Sequence, residues 1–265
     1  MIATVLATGA LAAGAYDFAR DLAGRGPRPA AAAAERRAQR RVRRRFDAAG
    51  LRLGHDRFRV PGKGFSTNTI GVRDVPGDCL RVVMAHTDTV PPAPGADDNA
   101  SGVGALVAFG DALAAGAPPR CDVWLVATGA EERIYTGSPD HLGALAVVRR
   151  LRRLHRFRDV AYGLSLDEVG RDRSFWLRSP AAAPRPGIER ALLRAARRAG
   201  VRVTWVRDES TGNSDHRELA LAGLPAMKLG VRDDPLRHTA ADTADRLRRG
   251  AFRRALKVVV GLVAR

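Results

Sequence analysis

The chain has 265 residues, 45% of them hydrophobic, with a formal net charge of +17. That is enough apolar material for a sizeable core, and it argues against disorder. The charge raises nucleic acid or an anionic surface as partners. Yet all but three of the 45 basic residues are arginines, which fall largely on predicted helix faces, and aromatics are only 5%. Single-stranded nucleic acid needs aromatic platforms among the basic residues, so no nucleic-acid partner is expected.

In chain order, "MIATVLATGALAAGAYDFARDLAG" is apolar for about fifteen residues, too few to span a bilayer. It lacks the basic start of a secretory signal, although "ALAAGA" suits a cleavage site. Residues 1–25 therefore read as a weak leader or as the first helix of a single 1–265 domain. No stable membrane anchor is expected, and cytoplasm and export both stay open. The next stretch, "GPRPAAAAAERRA", is an alanine- and arginine-rich break, expected to bear on N-terminal packing only. A basic helix ending at Gly50 follows, its one apolar stripe made by Ala38, Val42 and Phe46.

From there strands alternate with helices. Strands are expected over 80–85, 122–127, 160–166, 201–206 and 225–230. Helices are expected over 101–115, 142–157 (apolar face Ala144, Val147, Val148, Leu151 and Leu154), 187–200 and 244–264. Such alternation implies a largely parallel sheet covered on both faces, with ligands gathering at the carboxyl ends of its strands. The two cysteines, Cys79 and Cys121, each stand just before a strand leading to those ends. If the strands are parallel neighbours in matching register, the pair lies within disulfide reach at the opposite edge of the sheet.

The strand ends carry the chemistry. "VVMAHTD" closes on His86 and Asp88, and "GADDNASG" places Asp97 and Asp98 before a helix. "VWLVATGAEE" ends on Glu131 and Glu132, "GLSLDEVG" on Asp167 and Glu168, and "LRHTAADTAD" sets His238 in a late loop. Singly, each has an ordinary reading: a helix cap, a charge favoured by a helix dipole, a loop histidine. Converging, so many carboxylates repel one another and lose hydration unless a cation lies between them. Histidine with carboxylate suits zinc, and a carboxylate can bridge a metal pair.

The series "AHTD", "GADDNASG", "GAEER…GS", "LDEVG", "SDH…LAGLPA" and "RHTAADT" resembles, in order, the M28 family of zinc peptidases of the aminopeptidase Y type. The resemblance covers roughly residue 26 to the end. It implies an α/β fold of three layers, α/β/α, with a mixed, largely parallel central sheet of the zinc exopeptidase kind. It implies two Zn2+ per chain: Asp98 bridging, His86 and Asp167 completing one shell, Glu132 and His238 the other, and Glu131 unbound as general base. The substrates implied are peptides with a free N-terminus. Asp88, two residues after His86, is expected to accept the second imidazole N–H. Asp97 is expected to shape its loop. Asp215 and His216 of "NSDH" read either as partners of the site or as a helix cap, and Tyr135, Phe175, Trp176 and Trp205 are the aromatics open to a substrate pocket. Against the peptidase stand glutaminyl-cyclase-like amide chemistry on a single zinc, and a binding domain that kept the fold without the metals. The intact ligand set argues against the latter.

Overall fold

The computed structural model describes residues 2–132, 140–181, 184–208, 212–231 and 234–263. Among them, eight strands form one mixed sheet in the order β1-β2-β4-β3-β5-β8-β6-β7. The strands are β1 Arg52–Val60, β2 Gly64–Arg73, β3 Leu80–His86, β4 Asp122–Thr128, β5 Val160–Leu166, β6 Phe175–Pro180, β7 Val203–Asp208 and β8 Ala226–Gly230. The central run β4-β3-β5-β8 is parallel throughout. β2 adds to β4 and β6 adds to β8 in the opposite sense.

β3, β4 and β8 are buried along their whole length. Strands covered on both faces need apolar side chains in both directions, which is why they read as continuous apolar runs rather than alternating ones. Alternate residues feed two cores. Val83, Ala85, Leu125 and Leu164 pack on one side with α1 (Ile2–Ala23), α2 (Ala33–Ala48), α3 (Gly102–Ala115), α5 (Pro186–Arg198) and α7 (Arg249–Val263). Val82, Met84, Trp124 and Val126 pack on the other with α4 (Leu142–Arg153) and α6 (His216–Leu221). Three layers result.

The stretch over 1–25 forms α1, with Ala12, Ala15, Ala19, Leu22 and Ala23 buried in the larger core. Small residues allow α1 and α3 close contact: a Cβ on Gly104 would stand 2.4 Å from the Ala15 carbonyl oxygen. Among the described residues no helix is long and apolar enough to cross a membrane.

Three strands lie outside the expected set. In β1, charged residues alternate with the buried Asp56, Phe58 and Val60, and the charges mask the period of two. β2 carries Ser66, Asn68 and Thr69 buried, polar residues that function as braces rather than core. β6 is short, and its Pro180 reads as a stop. The helix expected over 142–157 ends at Arg153, so Leu154 falls at the cap and is exposed rather than on the apolar face. The closing helix is split: one 3-10 turn at Ala244–Arg246, then α7 from Arg249.

β3 and β4 run in matching register, Leu80 beside Asp122, and Cys79 and Cys121 form a disulfide with Cα atoms 4.8 Å apart. It closes a loop of 42 residues in sequence. Denatured protein kept free of reductant should show no reactive thiol. Reduction should lower the unfolding free energy by about 2–4 kcal/mol; two titrating thiols, or unchanged stability on reduction, would contradict the bond.

Candidate metal centre

The parallel run brings the expected residues to one edge. His86 ends β3, Glu131 and Glu132 follow β4, and Asp167 follows β5. Asp98 lies in a kinked turn, Ala96–Ser101, that leads into α3; Asp98 and Asn99 have non-helical backbone angles, and the peptide between them is cis. His238 approaches from the loop before the last helix with φ +63, half exposed where the others are buried.

Asp98 sits between the two imidazoles. Its Oδ1 is 3.1 Å from His86 Nε2 and its Oδ2 is 3.1 Å from His238 Nε2. Glu132 Oε2 lies 3.1 Å from the same His238 nitrogen. Asp167 Oδ1 is 3.6 Å from His86 Nε2 and is buried without a hydrogen-bond partner. One donor atom each from His86, Asp98 and Glu132 lie within 4.8 Å of one another, and so do those of His86, Glu131 and Asp167. By distance alone, then, Glu131 also qualifies as a ligand. Imidazole and carboxylate donors with a buried, unpartnered oxygen aimed among them fit zinc.

Several neighbours hold this set in place. Asp88 acts differently from the expectation. Its backbone carbonyl, 3.2 Å from His86 Nδ1, takes the imidazole N–H. Its carboxylate, 3.8 Å away, accepts instead from the Glu131 and Glu132 backbone N–H groups at 3.0 and 3.1 Å. The physical reason is supply: the chain turning out of β4 presents two free N–H groups, and an ionised acceptor satisfies both. Asp242 does the same for the other loop, accepting from Asp97 N–H at 2.9 Å and Asp98 N–H at 3.0 Å. Asp97 shapes its loop as expected, through Gly170 N–H at 2.8 Å and the Arg171 guanidinium at 3.0 Å. Asp215 precedes α6 but caps nothing with its side chain; its Oδ2 accepts the Thr128 hydroxyl at 2.6 Å. His216 faces Asp208 at 3.4 Å.

Further residues escaped the sequence reading. Lys228, buried in β8, places Nζ 2.7 Å from Asp167 Oδ2 and 3.6 Å from Glu168 Oε2. A lysine midway along the apolar "PAMKLG" was the available signal. The break "GPRPAAAAAERRA" turns out to brace the site as well as the N-terminus. Buried Arg28 donates to the carbonyls of Thr87, Pro94 and Gly95 at 2.9, 2.6 and 3.0 Å, gripping the loop after His86. Buried Glu35 accepts from Ala130 N–H at 3.0 Å and from Ser66 at 2.7 Å, beside Glu131. Their polar types gave no hint, since both lie among surface-type arginines.

The cavity over the centre measures about 250 Å³, and His141, Asn213 and Arg237 join the acids and histidines in lining it. Phe175 belongs to the core, and Trp176 and Trp205 lie on β6 and β7 away from the cavity. Tyr135 lies outside the described residues.

Burial and the crowded carboxylates dominate the electrostatics. Burial pushes Glu131 well above the usual carboxylate range, and Glu132, Asp167 and Asp215 add to it. Burial with Asp98 moves Glu132 to about 7. Burial opposes ionisation of Asp167, yet Lys228 and His86 hold it well below its ordinary value. His238, bonded to Asp98 and Glu132, rises to about 10, and burial of His86 is outweighed by Glu131, Asp167 and Asp98, which raise it.

The sequence profile of peptidase family M28 matches residues 70–263. The chain belongs to that family and is a metal-dependent hydrolase. The zinc aminopeptidase BSAP from Bacillus subtilis superposes with a TM-score of 0.82 at 16% identity, covering 95% of this chain and 94% of that one. LapB from Legionella pneumophila superposes at 0.84 and 21% identity, over 98% of this chain and 74% of LapB. A glutaminyl cyclase from an Acidobacteriales bacterium superposes at 0.81 and 22% identity, over 95% and 93%. These likenesses establish the α/β/α fold. No curated protein matches the chain by sequence.

Metal uptake should release protons. Metal-free His238 and His86 hold their protons to raised pH, and Glu132 does so to about 7. Zinc must displace those protons, so a rising pH removes the competitor and affinity should rise through about pH 7, where Glu132 deprotonates, and on toward about pH 10, where His238 does. Calorimetry in two buffers of different ionisation heat reads the release; zinc binding with no proton exchange would refute it.

Proposed function

We propose that the chain is a co-catalytic di-zinc aminopeptidase, of the aminopeptidase Y type, removing N-terminal residues from peptides. The observation that carries this is Asp98, whose two oxygens face two different imidazoles at 3.1 Å. One carboxylate is thereby shared between two donor sets, His86 with Asp167 and Glu132 with His238. When bound, zinc polarises the scissile carbonyl and makes water acidic enough to be a nucleophile near neutral pH. The rest is the work of the chain. Glu131, buried beside the donor set, takes the proton of the attacking water and delivers it to the leaving amine. Asp88 fixes the backbone of both glutamates, so that neighbouring carboxylates keep separate directions. The same density of carboxylates receives the ammonium of a free N-terminus, which sets the register of the first peptide bond.

A second reading, amide chemistry of the glutaminyl-cyclase kind on one zinc, is favoured by Lys228. Its ammonium, 2.7 Å from Asp167 Oδ2, offsets part of the anionic charge beside His86. Zinc stoichiometry, together with ammonia release from peptides beginning with glutamine, separates the two.

Replacing Glu131 by Gln should leave metal content intact and lower kcat by roughly two to four orders of magnitude. Glu132→Gln should lose one metal instead. Near-normal turnover of Glu131→Gln with metals present would remove it as the base.

Hydrolysis of aminoacyl-p-nitroanilides should be abolished by chelators and restored by zinc. N-acetylation removes a charge-assisted contact and should lower kcat/KM by about ten- to a hundredfold or more. Equal rates on free and acetylated substrates would point to an endopeptidase or amidohydrolase.

A further inference from the structure

The cavity holds a histidine that the scheme above does not use. His141 stands just before α4 with φ +50 and is almost fully buried. Its Nδ1 lies 3.2 Å from Glu218 Oε1 in α6, and its Nε2 lies 3.5 Å from Glu131 Oε1. Arg217 donates to that same Glu218 oxygen at 2.6 Å and to Asp140 Oδ1 at 2.7 Å.

Asp140, His141 and Glu218 have donor atoms close enough for a further metal. The cationic position among them is already taken, however, by the Arg217 guanidinium in contact with both carboxylates. The network is suited to a different task, holding an imidazole ring.

Its chemistry follows from donors and acceptors. An ionised carboxylate only accepts, so Nδ1 of His141 donates to Glu218. A ring that carries its single proton at Nδ1 presents a lone pair at Nε2, toward Glu131 3.5 Å away. While Glu131 is a carboxylate, two acceptors face each other and no hydrogen bond forms. Once Glu131 carries a proton, its O–H can donate to Nε2, and the 3.5 Å contact can tighten, as such contacts do along a reaction. The interaction therefore strengthens as the proton is transferred, which is where it accelerates the chemical step rather than substrate binding.

We propose that His141 is a positioning residue for Glu131: fixed by Glu218, it accepts a hydrogen bond from the protonated Glu131 carboxyl and aims that proton at the leaving amine. The inference rests on reading Glu131 as the proton acceptor. In the balance of the step, water loses a proton to Glu131, Glu131 loses it to the amine nitrogen, and His141 neither gains nor loses one.

Two measurements test it. The first is a double-mutant cycle with zinc content monitored. His141→Phe should lower kcat by about ten- to a hundredfold, with KM within about twofold and the metals retained. His141→Gln, whose amide oxygen can accept, should recover much of the loss. In a Glu131→Gln background, His141→Phe should cost less than about twofold, because its partner in the step is already gone. Fully additive losses, or a KM effect alone, would overturn the proposal. The second measurement needs no turnover: nitrogen-15 spectra of the metal-free protein should show His141 as the Nδ1–H tautomer, with its Nε2 resonance shifted by Glu131→Gln. An Nε2–H tautomer, or an Nε2 resonance blind to that substitution, would overturn it. Metal-loaded wild type that hydrolyses no peptide would sink the aminopeptidase reading, and the spectra would still decide the His141 contact.

Discussion

Carboxylates crowded out of water are the constraint on which this structure turns. Asp98, Glu131, Glu132 and Asp167 are all buried at the carboxyl edge of the parallel strands, with Asp88 and Glu168 beside them. Unsupported, such a group repels itself and takes up protons. The fold meets this in three ways. Backbone N–H groups point at the supporting acids, as at Asp88 and Asp242. Buried cations lie beside others, as Lys228 does beside Asp167. The remaining oxygens face imidazole, leaving a set of donors that a divalent cation completes.

The supports come from remote parts of the chain, which ties the fold's integrity to the site. Arg28 lies in the connection between α1 and α2 and Glu35 in the first turn of α2, yet one grips the carbonyls after His86 and the other the turn before Glu131. Glu35 also takes Ser66 of β2, so the antiparallel addition to β4 supports the same turn. α1, packed on α3, backs the kinked turn that delivers Asp98. The N-terminal segment, readable in the sequence as a leader or as a helix, packs as part of the scaffold behind the candidate metal ligands.

Legibility in the sequence followed the physics of each part. The central strands were readable because burial on both faces forces apolar runs, and the cysteine pair because parallel register made their adjacency a geometric question. The proposed ligands were readable because reactive residue types stood at strand ends in a recognisable order. β1 was hidden because an edge strand pairs its backbone while its outward side chains remain charged. Asp242, Arg28 and Glu35 were hidden for a deeper reason. Their role is to satisfy backbone groups or charges brought close only by the fold, and nothing local distinguishes them from ordinary surface residues. Asp88 was half legible: its proximity to His86 was right, but whether its carbonyl or its carboxylate meets the ring depends on which N–H groups the next strand offers.

The two halves of the donor set are unequal, and the inequality bears on how the site works. His86 and Asp167 are buried, and Lys228 already offsets part of their negative charge. Glu132 and His238 stand on the other side, with His238 half exposed at the mouth near Arg237 and Asn213. A cation held at His238 would stand nearest solvent, since His238 is half exposed at the cavity mouth. A cation held by His86 and Asp167 would lie deeper, with Lys228 already offsetting part of the charge on Asp167. Glu131 lies close to His86 and Asp167, with His141 at its back. On the proposed reading, proton transfer by Glu131 would fall on the enclosed side of the cavity and substrate entry on the open side. Separation of this kind is what a hydrolase needs if the water that reacts is to be the one the site holds, rather than any water that wanders in.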